Sequence, residues 1–62
     1  MSSREVIRRL VRDGWYLLRV KGSHHIFKHA DRPDRRVVVP HPEKDLPIGT
    51  LGRIMKDAGW SD

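Results

Sequence analysis

Four histidines stand among 62 residues, three of them inside His24-His25-Ile26-Phe27-Lys28-His29 and the fourth at His41. Imidazole exchanges its proton near neutrality, so it can take a proton from a hydroxyl or return one to a leaving oxygen, and it is also a common metal ligand. Spacing separates the two uses. On an extended strand His24 and His25 point to opposite faces, while His25 and His29 share a face about 13 Å apart at roughly 3.3 Å of rise per residue. Ligands held about 2.0–2.1 Å from one ion cannot span that distance. With no cysteine in the chain and no clustered carboxylate to complete a shell with His41, the pattern predicts no metal and no cofactor. Ser23 as a nucleophile would need an activating base held by a third group, and no such arrangement is visible. A serine after glycine in a turn more commonly serves backbone geometry.

The elements that must carry these residues can be read from capping, alternation and punctuation. Ser2 followed by Glu5 is a capping box, and Val6, Ile7, Leu10 and Val11 then form one helical stripe that Gly14 ends, which predicts a helix over about 3–13. Glu5 is spaced to pair with Arg8 and Arg9. Residues 15–20 and 24–29 are β-prone and flank Gly22-Ser23, a two-residue hairpin signal. Val37-Val38-Val39 is a third strand closed by Pro40 and Pro42. Pro47 opens a second helix over about 47–58, with Ile48, Leu51, Ile54, Met55 and Ala58 on its apolar stripe and Gly59 at its end. Gly49 and Gly52 within it suit close packing on the sheet or on a partner. The expected fold is α+β, in the order αβββα: a three-stranded antiparallel sheet with two helices on one face, like a double-stranded RNA binding domain, in a single domain over 1–62.

If Lys21 pairs with His24 across the turn, a regular ladder sets Val20 opposite His25, Arg19 opposite Ile26, Leu18 opposite Phe27, Leu17 opposite Lys28 and Tyr16 opposite His29. Tyr16, Leu18, Val20 and Phe27 then form the core face, with His25 and His29 at its margins. The other face, left open, carries Leu17, Arg19, Lys21, His24, Ile26 and Lys28. Cations around His24 would hold and neutralise a phosphodiester. His24 is therefore the candidate catalytic acid or base. Arg19, Lys21, Ser23 and Lys28 are the candidate RNA contacts, and His25 and His41 are secondary candidates. A basic face with one imidazole fits a ribonuclease that uses the substrate's own 2′-hydroxyl as nucleophile, a group that DNA lacks. The plainer reading of His24 is a solvated side chain at a hairpin turn. Trp60 fits partner contact and helix-end packing equally well.

Charge supports a polyanionic partner. The net charge is +5, nine of the thirteen cations are Arg, and ten of them lie in residues 1–36, which carry +6 against −1 for the rest. Arginine's planar fork grips phosphate at two points. No apolar run approaches the roughly 18 residues of a membrane span and the N-terminus is charged, so a cytoplasmic protein is expected. The absence of cysteine excludes a disulfide scaffold and leaves stability to a small core.

Several segments resemble the HicA toxins of bacterial HicA–HicB toxin–antitoxin systems. They are Asp13-Gly14-Trp15, Lys21-Gly22-Ser23-His24-His25-Ile26-Phe27-Lys28-His29, Val37-Val38-Val39-Pro40-His41-Pro42, Lys44-Asp45-Leu46-Pro47-Ile48-Gly49-Thr50-Leu51 and Ala58-Gly59. The resemblance implies a fold similar to a double-stranded RNA binding domain and an endoribonuclease (mRNA interferase) activity that cleaves mRNA and halts translation. It also implies a cognate HicB antitoxin that covers the active site, and an active histidine in the Gly-Ser-His position, here His24. A non-catalytic RNA-binding module shares the fold and charge. Such domains usually carry a Lys cluster at the start of the last helix, where this chain has Leu46-Pro47-Ile48-Gly49-Thr50.

Overall fold

The computed structural model describes residues 1–60. Its elements are helix α1 (Ser3–Arg12), strands β1 (Trp15–Lys21), β2 (His24–His29) and β3 (Arg36–Pro40), and helix α2 (Ile48–Asp57). The strands form one antiparallel sheet in the order β1-β2-β3. Both helices pack on the same sheet face, as the sequence predicts. Among the described residues, no helix is long and apolar enough to cross a membrane.

α1 begins where the capping box requires. The Glu5 N–H donates to Ser2 Oγ (3.1 Å) and the Ser2 N–H donates to the Glu5 carboxylate (3.0 Å), so two otherwise unpaired donors are satisfied. Glu5 is thus occupied by the cap, and Arg9 instead lies near Asp13 (3.9 Å). At the far end Gly14 adopts φ +98°, and a Cβ there would sit 2.8 Å from His29 Nε2. Glycine is required at that point for both conformation and space.

The core joins Val6 and Leu10 of α1, Trp15 of β1, Phe27 of β2, Val37 and Val39 of β3, Leu46, Ile54 of α2 and Ala58. Burial of each large side chain contributes about 1.5–3 kcal/mol. The apolar stripes are narrower than their periodicity suggests. Val11 is exposed, and Ile48 is 90% exposed while Leu46, in the loop before α2, takes the buried place. Pro47 is the N-cap rather than the first helical residue. A Cβ at Gly49 or Gly52 would meet nothing within 4 Å, so neither glycine serves close packing within the chain.

The hairpin register departs from a regular ladder at one residue. Lys21, Val20 and Arg19 pair with His24, His25 and Ile26, but the ladder then shifts, so that Leu17 pairs with Phe27, Tyr16 with Lys28 and Trp15 with His29. Leu18 is the extra residue of a β-bulge and is half-exposed. The bulge reverses the faces expected for the start of β1: Tyr16 joins Lys28 on the open face, and Leu17 joins Phe27 on the core face. Because β1 is an edge strand, Leu17 and Val20 remain half-exposed there. Trp15, not Tyr16, fills the core. Ile26, expected on the open face, lies opposite Arg19 and Val38 and is nevertheless buried.

Candidate functional site

The β1–β2 turn and the sheet pleat determine where each histidine points. Gly22 supplies φ +59° at the turn, which lets Lys21 and His24 face each other across the hairpin. His24 is exposed, on the sheet face that Phe27 does not share, and Pro40 of β3, the edge strand beside α2, is its neighbour on the other side. Lys21 and Arg19 share that face, and both are exposed. Ser23 is an exposed turn residue whose carbonyl accepts from the His41 N–H (2.8 Å), which fastens the chain after β3 to the hairpin turn. Lys28 shares the face of His24 but is half-buried, and its Nζ donates to Pro33 O (2.8 Å).

The other three histidines lie on the core side, and hydrogen bonds account for two of them. His29 donates from Nε2 to Asp13 O (2.9 Å) and accepts at Nδ1 from the Asp31 N–H (3.1 Å), which places its proton on Nε2. It also meets Trp15 edge-on at 5.2 Å. His41 lies 2.7 Å through Nδ1 from Ser3 Oγ. That hydroxyl, on a residue only 1% exposed, donates to Glu43 O (3.2 Å) and accepts from the Glu43 N–H (2.9 Å). Ser3 Oγ thus joins the His41 ring to the backbone of Glu43, and the tautomer of His41 sets which of Ser3 Oγ and Nδ1 donates. His25 packs edge-on against His41, centroids 4.9 Å apart, and its buried Nδ1 has no partner among the described residues. The structure therefore brings His25 and His41 together and leaves His24 apart from them.

A cleft of about 750 Å³ opens beside His24, between β3 and α2. Val38, Pro40 and Ile54 supply its apolar lining, and Arg35, Arg36, Arg53 and Lys56 supply four cations against Asp34 and Asp57. His24 is the one histidine that lines it. The linear sequence does not reveal this group. Along the chain Arg35 and Arg36 belong to a charged turn, and Arg53 and Lys56 lie in the half with a charge near zero. A signal is present nonetheless, since Arg53 and Lys56 are spaced i, i+3 and so share a side of α2, away from Ile54 and Ala58.

Trp60 packs at the helix end: its Nε1–H donates to Asp13 Oδ2 (3.0 Å) and Arg9 stacks over its ring at 4.1 Å. This ties the segment after α2 to the end of α1.

The family model described as HicA toxin of bacterial toxin-antitoxin matches residues 3–60. No match was found among curated proteins. The chain belongs to the HicA toxin family, and so is the toxin of a toxin–antitoxin system whose family implies a cognate antitoxin.

Proposed function

We propose that this HicA toxin is a metal-independent endoribonuclease that cleaves mRNA, with His24 as its general acid or base. The observation that carries the reading is the position of His24: exposed, on the open sheet face, at the mouth of a cleft with four cations. In the forward step the neutral imidazole of His24 takes the proton of a ribose 2′-hydroxyl. The 2′-oxygen forms a bond to the adjacent phosphorus, and the bond from phosphorus to the 5′-oxygen of the next nucleotide breaks. The proton that the leaving oxygen takes comes from solvent, His41 or a lysine. Lys21 and Arg19 flank the scissile phosphate and offset the charge that builds on it.

Ser23 contributes through the turn backbone that seats His24, and Lys28, whose ammonium is already engaged by Pro33, contributes less than Lys21. His25 keeps a structural role. The HicB antitoxin covers the hairpin face with an acidic surface, since complementary charge speeds capture and blocks substrate together. Cytoplasmic mRNA is the substrate pool, which suits arrest of translation during stress.

The test is His24→Ala. Cleavage of single-stranded RNA should fall by about 100- to 10,000-fold, the usual contribution of a positioned acid or base, while RNA affinity and helical content are retained. Undiminished cleavage by a folded His24→Ala chain would remove His24 from the mechanism. RNA binding without cleavage by the native chain would leave a non-catalytic binding module.

A further inference from the structure

An RNA cut internally must continue on both sides of the bond that breaks, and the hairpin accounts for only one of them. Lys21 and Arg19 lie on the β1 side of His24. On the other side lies the β3–α2 cleft. It starts at His24 and Pro40, which are cross-strand neighbours at one end of β3, and reaches Arg36 at the other end. Four residues of strand make that path about 13 Å long at roughly 3.3 Å per residue. Even at twice the roughly 3.4 Å that separates stacked nucleotides, as an unstacked strand requires, this is room for more than one nucleotide.

The two walls are cationic in a way that suits a backbone threaded between them. Arg35 and Arg36 come from the sheet side, and Arg53 and Lys56 from one side of α2. Two carboxylates, Asp34 and Asp57, stand against these four cations and offset only part of their charge. Asp57 lies 3.9 Å from Arg53, whose side chain is 86% exposed, and an exposed pair of that length is weak and exchanges readily for phosphate. The apolar lining between the walls accepts an unstacked base, which a single strand offers and a duplex does not.

We propose that the cleft between β3 and α2 is the bed of the single-stranded RNA beyond the cleavage point, with Arg53 and Lys56 as phosphate contacts of α2. This rests on the reading of His24 as the cleavage residue. It moves the substrate path from the hairpin face alone to a line that crosses β2 and β3 and ends on α2.

The test measures binding in a chain that cannot cut. A labelled single-stranded RNA is titrated with His24→Ala and with His24→Ala carrying Arg53→Gln and Lys56→Gln, across a range of salt. Both added changes lie on exposed positions, and circular dichroism checks the fold. The expected result is about tenfold weaker binding near 0.1 M salt and a log–log salt slope reduced by about 1.4, at roughly 0.7 for each phosphate of a single strand that is no longer neutralised. A charge-matched control, Arg4→Gln with Arg8→Gln on α1, should change the slope by less than half as much. Equal effects from both pairs, or no effect of Arg53 and Lys56, would overturn the proposal. So would unchanged RNA binding with weakened capture by the purified antitoxin, which would make the cleft a protein-docking surface. Cleavage by the native chain is assayed in parallel. Its absence would defeat the ribonuclease reading, whereas cleavage with an unchanged slope in the Arg53 and Lys56 variant would defeat the RNA bed alone.

Discussion

Ser3 and His24 are both polar residues at key points, and their surroundings give them opposite roles. Ser3 is buried and makes three hydrogen bonds through one oxygen. Ser3→Ala leaves the His41 Nδ1 and the Glu43 N–H unpartnered, and chemical denaturation should show a loss of about 1–3 kcal/mol. RNA cleavage per folded molecule should stay within about twofold, because His41 does not line the cleft; a loss as large as that of His24→Ala would give His41 a direct part in catalysis. His24 is the reverse case, exposed and replaceable at little cost in stability. Its position is legible in the sequence because the turn fixes the pairing of Lys21 with His24, and that end of the hairpin forms as a regular ladder. The roles of His29 and His41 are not legible, because Asp13 and Ser3, which bond to them, come from segments that only the folded chain brings close, and the local Asp31 N–H alone does not identify a role for His29.

At the scale of elements, α1 is fixed at its start by the capping box, which also creates a pH dependence. Bonding to the Ser2 backbone and hydroxyl holds the Glu5 carboxyl below its ordinary value. Folding therefore favours the ionised carboxylate. That contribution is full above the ordinary carboxyl range and is lost as pH falls through the lowered folded value. Ser2→Ala should cost about 1 kcal/mol at neutral pH, and Glu5→Gln should flatten the fall in melting temperature between neutral and acid pH; an unchanged acid profile would contradict the assignment. In α2, Gly52→Ala should stabilise by about 1 kcal/mol, since the added methyl meets nothing and a helical glycine costs about that much. Destabilisation in urea would show that the glycine is needed for packing. The order and approximate limits of all five elements can be read from caps, turns and alternation. The bulge at Leu18 cannot, because Tyr16-Leu17-Leu18 offers apolar residues on both faces and either register buries some of them. Ile48 is exposed against expectation for a similar reason: periodicity cannot tell that Leu46 reaches the core first.

For the whole molecule the decisive quantity is how charge is distributed in space rather than along the chain. Counting by halves places the basic field in residues 1–36. Folding carries Arg53 and Lys56 of the near-neutral half to the same cleft as Arg35 and Arg36. RNA binding should consequently weaken steeply with salt, and a flat salt response would mean that phosphate contacts do not dominate. The same field should steer the antitoxin. Lys21→Glu with Lys28→Glu should slow its association at low salt with a smaller change in dissociation, and an unchanged association rate would remove electrostatic capture from the account.

The most direct test of the central claim compares one RNA with its all-deoxy counterpart, in EDTA, using the native chain and His24→Ala, with the product ends identified by mass. The expected result is cleavage of the RNA alone by the native chain, with a cyclic 2′,3′-phosphate on one product and a free 5′-hydroxyl on the other, and loss of both products with His24→Ala. Cleavage of the deoxy strand, or the same cyclic ends from His24→Ala at an undiminished rate, would contradict it.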